Sequence, residues 1–339
     1  MNWRNSTIIQ HSKNMEIIEK LKQANLRGRG GAGFPAWQKW QMVKDAPGET
    51  KYVVCNVSEG EPAVAKDGHI LEKWPDIVVE GIELAMNEAG AKKGYLYLRR
   101  DYFDKFKNAL AEIIGARAIE IIREPGGYLG GEETALLDSI EGKPCEPRIK
   151  PPFPPQAGLW GRPTLINNLE TLYFAARIVR GEYKNTRFYT IAGDCAGPGV
   201  FERGDGLTIK EILEKTGNLP GGEFFVQAGG GASGTIMMSD ELEVPLSGAG
   251  SIVIYDKAKT DPRRLGLKWI NFFIAENCGK CVPCREGVLR LREIFSKEPL
   301  DIARAQGIVK LLAAASFCPF GKGVANSFGS LIAKLMEKS

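Results

Sequence analysis

Four cysteines are the residues in this chain best suited to chemistry. Cys278, Cys281 and Cys284 stand at successive three-residue steps, and Cys318 follows in a Cys-Pro pair. Three thiolates gathered by a C-x2-C-x2-C run, with a fourth from further along, are the donors a cubane iron–sulfur cluster takes. Four cysteines also suit tetrahedral zinc. Zinc sites usually split their ligands into two separate C-x2-C knuckles, whereas this run is continuous. The expectation is therefore a 4Fe-4S cluster, with zinc as the alternative. Arg285 and the helix after it would set positive charge and a helix N-terminus beside the sulfurs, favouring the reduced, more negative cluster. A cluster moves electrons singly, so another part of the chain must supply them.

Two glycine-rich turns are the next candidates. Arg27-Gly28-Arg29-Gly30-Gly31-Ala32-Gly33-Phe34-Pro35 lacks side chains at four positions, so its amides can close on an anion or a planar ring. It lacks the spacing of the common dinucleotide fingerprint, and by itself an ordinary tight turn explains it as well. Gly126-Gly127-Tyr128-Leu129-Gly130-Gly131-Glu132-Glu133 opens a second such turn before a helix. Asn56-Val57-Ser58-Glu59-Gly60-Glu61-Pro62 sits just past a strand end, where α/β sheets bind ligands. Its Asn and Glu side chains suit a flavin edge or ribose hydroxyls, although a solvated acidic turn reads the same. Phe153 can stack on a base with Lys150 near a phosphate. Trp37, Trp40 and Trp160 read as core, and Cys55, Cys145 and Cys195 as buried or incidental thiols.

The elements that must position these groups fall into three stretches. An amphipathic helix over 16–26 precedes the first glycine turn. Strand 51–57, helix 77–89, strand 94–98, helix 101–115 and strand 118–123 alternate in the manner of a parallel sheet. Helix 168–180 closes this first stretch. From about 187, short strands at 188–192, 224–227 and 252–255 surround one helix at 208–215, the pattern of a small β-grasp module. From about 264 the text is helical, interrupted only at the cysteines. The expected domains are 1–186, 187–256 and 257–339, in an α/β, β-grasp and helical-bundle order.

Bulk composition narrows the classes. The chain has 339 residues, 43% hydrophobic and 25% charged, which is ordinary for a globular protein of two or three domains. The net charge of +4 comes without a basic block, so no nucleic-acid partner is expected. No apolar run approaches the roughly 18 residues of a membrane span, and Met1-Asn2-Trp3-Arg4 does not open a signal peptide, so a cytoplasmic protein without direct membrane insertion is expected. Seven cysteines then read as metal ligands and thiols rather than disulfides. The two histidines, His11 and His69, leave little for histidine-based acid–base chemistry.

Taken together and in order, these strings resemble the flavin- and NADH-binding subunit of respiratory complex I and the diaphorase subunits of NAD-linked hydrogenases and formate dehydrogenases. The segments that carry the likeness are 27–35, 56–62 with Lys66-Asp67, 127–135, 141–153, 163–171 and 278–287. The resemblance implies an FMN-binding α/β domain, a β-grasp module and a helical bundle with a 4Fe-4S cluster. It implies FMN contacts at Gly28, Arg29, Gly30, Lys39, Asn56, Ser58, Glu59, Gly60, Tyr128, Gly131, Glu132, Asn167, Asn168 and Thr171. NAD(H) would meet Gly31, Phe34, Glu61, Glu133, Lys150 and Phe153, with Glu133 repelling a 2′-phosphate and Glu61 and Glu132 orienting or tuning the flavin. Cys278, Cys281, Cys284 and Cys318 would hold the cluster.

Three positions depart from the family pattern: Ser58 replaces an Asp, Met42 an aromatic and Gly68 an Arg. The implied activity is electron transfer between NAD(H) and the cluster through FMN. An electron-transfer subunit with a different donor, or with no turnover at its own flavin, is the alternative. The string 316–321 is more similar to the hydrogenase and formate dehydrogenase branch. With no thioredoxin-like or ferredoxin-like segment in the chain, the implied partners are a thioredoxin-like iron–sulfur subunit and a further electron-carrying iron–sulfur subunit.

Overall fold

The computed structural model describes residues 16–337. His11 and the Met1-Arg4 start lie outside the described residues. The first layer is a four-stranded parallel sheet of β1 (Tyr52–Val57), β2 (Lys93–Leu98), β3 (Ile119–Arg123) and β4 (Thr164–Asn168), in the order β3-β2-β1-β4. The helices around it are α1 (Ile17–Gln23), α2 (Ala36–Asp45), α3 (Lys66–Lys73), α4 (Pro75–Ala89), α5 (Arg100–Ile114), α6 (Ala135–Ile140) and α7 (Leu169–Arg180). Val53, Cys55 and Val57 of β1 face the larger core with α1, α2, α4 and α7, and Val54 faces a smaller one with Leu136, Leu137 and Leu159. A strand covered on both faces must be apolar on both, which is why β1 reads as a continuous apolar run.

α4 shows how local chemistry sets this layer. Pro75 opens the helix, Gly90 closes it in the left-handed conformation, and Ile77, Val78, Gly81, Ile82, Ala85 and Ala89 form its buried stripe. At Gly81 the helix meets α7 so closely that a Cβ would lie 2.2 Å from the Leu172 carbonyl oxygen. This crossing fixes α7, whose first residues follow Asn167 and Asn168 without a break.

The second layer is a mixed sheet of β5 (Thr186–Gly193), β6 (Gly199–Gly204), β7 (Phe224–Ala228), β8 (Thr235–Met238) and β9 (Ser251–Asp256), in the order β6-β5-β9-β7-β8. β5 and β9 run parallel and the other pairs antiparallel. α8 (Ile209–Lys215) packs on it, started by a Thr208–Glu211 capping box. Four helices follow: α9 (Pro262–Ala275), α10 (Val282–Phe295), α11 (Ile302–Ala315) and α12 (Pro319–Leu331). Their core also takes in Leu129, Phe225, Ala232 and Ile236, so the helical region is welded to the middle sheet and to the second glycine turn.

Sequence periodicity misses α2, α3, β4, β6 and β8. β4 is the instructive case, because five residues between Pro163 and an Asn-Asn pair carry no alternation, and the sheet itself makes them a strand. Trp160 is a correction. It is 49% exposed, packing edge-on against Tyr52 rather than sitting in the core.

Candidate cofactor site

Strand order reverses between β1 and β4, so their C-terminal ends diverge and leave a crevice, the place where open α/β sheets take ligands. A cavity of about 880 Å³ fills it, within the range of cofactor sites. Every FMN or NAD residue expected from the sequence lines this cavity except Thr171. Thr171 is fully buried behind the first glycine turn, where its hydroxyl accepts the Arg29 N–H at 2.9 Å. It therefore positions the turn without touching the cavity.

The glycine turns make the space. A Cβ at Gly60 would come within 3.0 Å of the Tyr128 Cα, and one at Gly131 within 2.9 Å of the Ser58 carbonyl oxygen. Side chains there would push the turns apart and fill the cradle. Asn56 ties them, donating to the Gly131 carbonyl at 3.0 Å while accepting the Ser58 N–H at 3.0 Å. Trp40 of α2 donates its indole N–H to the Asn167 side chain at 2.9 Å, so one buried tryptophan both fills core and orients a cavity amide. Phe34, Met42 and Phe153 are 43, 43 and 46% exposed and all line the same cavity. Exposed apolar side chains gathered on one opening suit a flat ring.

The opposite wall is charged but self-neutralised. Lys150 donates at 2.9 Å to both Glu132 and Glu133, and Lys39 donates to Glu133 at 3.3 Å. Burial alone would raise the Glu133 pKa, but Lys39 and Lys150 outweigh it and hold it below the usual value. Glu132 also caps α6, accepting the Thr134 and Ala135 N–H groups at 2.8 and 2.9 Å.

Beneath the cavity lies a buried ionic knot. Lys66 donates to Asp67 at 2.6 Å and to Asn168 at 3.1 Å, and stands 3.1 Å from Glu170 at ion-pair distance but out of line for a hydrogen bond. Asn168 returns a bond to Asp67 at 2.6 Å. Glu59 accepts the Asp67 and Gly68 N–H groups and the Tyr102 hydroxyl. Burial, then the adjacent Asp67, pushes the Glu59 carboxyl up to about 7. Burial works against the Lys66 cation, yet Asp67, Glu170 and Glu59 together raise its pKa. The knot thus holds one firmly charged lysine among three carboxyls.

The middle sheet and last helix supply walls that motif reading missed. Glu61 spends both oxygens on protein donors: Tyr128 Oη at 2.6 Å, the Ala232 and Ser233 N–H groups at 2.9 Å each, and Ser233 Oγ at 2.9 Å. It thereby clips the β7–β8 glycine loop onto the cavity. Ser233, Gly234, Ser247 and Gly248 line the cavity from that side, and Phe320, Lys322, Gly323 and Asn326 from α12. The run Gly229-Gly230-Gly231-Ala232-Ser233-Gly234 was the available signal in the sequence.

The four cysteines come together where two helices start. Cys281 precedes α10 and Cys318 precedes α12, and each of these helices carries a proline in its first turn. Cys284 is pushed up to about 12 by burial and then by Cys281, Cys318 and Cys278, so each of these thiols is near enough to feel it. Asn277 donates to the Cys284 sulfur at 3.3 Å, and Arg285 donates to the Gly279 carbonyl at 2.9 Å. Among the described residues no group of three or more Cys, His, Asp or Glu is drawn in tightly enough to hold a single metal ion. A polynuclear cluster spreads its ligand sulfurs widely, so four convergent, unbridged thiols fit its donor set. The cavity reaches this centre through Phe320, two residues past Cys318, whose ring packs 5.6 Å from that of Tyr128.

Residues 21–177 match the Nuo51 FMN-binding domain, and residues 265–338 match the NADH-ubiquinone oxidoreductase-F iron-sulfur binding region. The second F subunit of the NADH-quinone oxidoreductase of Rhizobium meliloti is 38% identical over 91% of this chain and 84% of its own length. The chain belongs to the family of NADH-quinone oxidoreductase F subunits. The FMN-binding and iron-sulfur matches give this chain FMN and a 4Fe-4S cluster as cofactors, in place of the zinc alternative. The NAD-reducing hydrogenase HoxS subunit alpha of Cupriavidus necator is 36% identical over 80% of this chain, but the chain spans only 50% of that protein. A crystal structure of an NAD+-reducing [NiFe]-hydrogenase in the H2-reduced state superposes with a TM-score of 0.88 at 31% identity, covering 98% of this chain and 63% of that one.

Two departures from the family pattern have structural partners. At Gly68 a Cβ would lie 2.6 Å from the Tyr102 hydroxyl, so Tyr102 occupies the room a longer side chain would need. Behind Ser58 stands Glu124, 1% exposed and pushed up to about 7 by burial. The Ser58 hydroxyl is close enough to oppose that shift but poorly aligned for a full hydrogen bond. Glu124, the residue after β3, thus places a carboxyl behind this turn without lining the cavity.

Proposed function

We propose that this chain works as the diaphorase component of a larger redox complex, exchanging electrons between NAD(H) and its 4Fe-4S cluster. The observation that carries the reading is one continuous cavity that runs from the glycine turns to Phe320, two residues past a cluster cysteine. FMN bound there supplies the conversion between hydride and single-electron transfer. The chain's own residues bind and orient. Gly28, Arg29, Gly30, Asn56, Ser58, Gly60, Gly131, Asn167 and Asn168 would hold FMN at the crevice, with Lys39, Glu59, Tyr128 and Glu132 around it. Phe34 and Phe153 would sandwich the dinucleotide, with Gly31, Glu133 and Lys150 beside them. Glu61 would act by holding Tyr128 and the β7–β8 loop in place. Cys278, Cys281, Cys284 and Cys318 would ligate the cluster.

The three units 1–186, 187–256 and 257–339 fit this division of labour. A β-grasp reading of the middle unit rests on one helix crossing a mixed sheet whose central strands run parallel. Partner subunits with iron–sulfur centres, one of them thioredoxin-like, would carry electrons onward, since a single cluster needs an exit. A cytoplasmic site agrees with seven unpaired cysteines and with the lack, among the described residues, of a helix long and apolar enough to cross a membrane.

Anaerobic titration tests the reading. NADH should bleach the flavin and cluster bands while NADPH leaves them intact, and a dye acceptor should then be reduced on turnover. Bleaching by dithionite but not by NADH would overturn the NAD assignment in favour of another donor.

A further inference from the structure

Five cations line the cavity: Arg29, Lys39, Lys66, Lys150 and Lys322. Four are committed to carboxylates. Arg29 pairs with Asp205, Lys39 with Glu133, Lys66 with Asp67 and Glu170, and Lys150 with Glu132 and Glu133. Lys322 has no hydrogen bond or ion pair with any described residue. Five carboxyls, those of Glu59, Glu61, Asp67, Glu132 and Glu133, line the same space, so it holds no surplus of positive charge. An anion entering it can meet the backbone amides of the glycine turns, but for a cationic side chain it must either break an existing ion pair or turn to Lys322.

Lys322 is also well placed to respond. It is exposed near the start of α12, and Asn326 follows four residues later, so both side chains emerge from one face of the helix onto the cavity. Gly323 lets this helix close on the middle sheet, since a Cβ there would lie 3.0 Å from the Ser233 Cβ. Ser233 in turn is held by Glu61, which also takes the Tyr128 hydroxyl. The lysine therefore stands on a braced wall. A lone exposed lysine is ordinarily a solvated surface charge. This one differs by being, among the described residues, the single uncommitted cation in a neutralised cavity.

We propose that Lys322, with Asn326 beside it, is a further substrate-binding residue that takes the diphosphate of the incoming nicotinamide dinucleotide. This rests on the diaphorase reading above. An ammonium on a phosphate oxygen is a charge-assisted hydrogen bond made equally to bound substrate and to the transition state, so its loss should fall on KM rather than kcat.

The test uses the full chain loaded with FMN and cluster, comparing wild type with K322Q and K322R in NADH-driven dye reduction. K322Q should raise KM for NADH about tenfold, the size of one such contact, with kcat, flavin-to-protein ratio and cluster absorbance unchanged. K322R should restore most of the affinity, and the KM of wild type should rise with salt more steeply than that of K322Q. An unchanged KM at full flavin content would overturn the assignment. So would loss of flavin from K322Q, which would put Lys322 on the FMN phosphate, or an effect confined to NADPH, which would put it on a 2′-phosphate. If wild type itself fails to oxidise NADH, the diaphorase reading falls and this inference falls with it.

Discussion

Replacing Lys66 by methionine is the sharpest test of how the site is held. Lys66 is 2% exposed and, among the described residues, is the cation at ion-pair distance from both Asp67 and Glu170, themselves 2 and 0% exposed. Removing it leaves the buried Asp67 and Glu170 carboxylates, among the described residues, with no cation at ion-pair distance. Breaking a buried ion pair from one side costs about 3–5 kcal/mol, which in a domain of this size is roughly 10 °C in melting temperature. The damage should reach the cavity, because the Asn168 side chain accepts from Lys66 while it caps α7 through the Glu170 N–H at 3.1 Å.

The pH dependence has a definite sign. Burial already raises the Asp67 and Glu59 pKa values, and Lys66 opposes both shifts. Without Lys66 they rise further above those of the unfolded chain. The native state then binds more protons than the unfolded state, and its stability falls as pH rises. K66M should therefore lie nearest wild type at about pH 5 and furthest from it near pH 8. Thermal melts across that range, with flavin content measured alongside, are the assay. K66M/D67N, which deletes both charges, should recover part of the loss. A K66M protein that melts with wild type at pH 8 and keeps its flavin would refute the idea that this lysine holds the knot.

Two further outcomes follow from the same structure. G81A should destabilise, although alanine ordinarily favours a helix by about 1 kcal/mol. The new methyl would meet the Leu172 carbonyl at 2.2 Å, and forcing helices α4 and α7 apart costs about 1–3 kcal/mol, readable as a lower melting temperature with weakened flavin retention. E124Q should flatten the stability–pH curve. Glu124 rises from 4.5 to about 7 on folding, so the native state keeps a proton that the unfolded state releases, and wild type loses about 3 kcal/mol between those pH values that E124Q does not lose. Melting temperatures from pH 5 to 8 would show parallel curves if Glu124 does not titrate there.

Part of this site was legible from residue types. The C-x2-C-x2-C run marks itself, because a cluster demands thiolates; the two glycine turns read equally well as ordinary turns, and the Asn167-Asn168 pair entered only with the family resemblance. Regular elements such as α4 and β1 show in periodicity and end signals. Short elements did not: β4 and β8 exist because a neighbouring strand offers hydrogen bonds, and five or four residues carry too little pattern to announce it. Nor did the motifs separate contact from support. Thr171 stands in the right string, yet its hydroxyl faces the Arg29 amide. Glu61 stands beside the cavity with both oxygens already taken.

By itself, then, the sequence determined the kind of chemistry: thiolate ligands, an anion- or ring-binding crevice and a family of electron-transfer subunits. These depend on residue type and local spacing, which a linear text records directly. The tertiary structure alone decided what surrounds that chemistry. It brought Ser233 and Lys322 to a cavity whose first wall lies at Gly28, far away along the chain for both. It set Tyr102 in the space beside Gly68, and it left one cavity cation, among the described residues, without a partner. Charge balance and steric exclusion act through space between segments far apart in the chain, and only the packed fold states which segments those are.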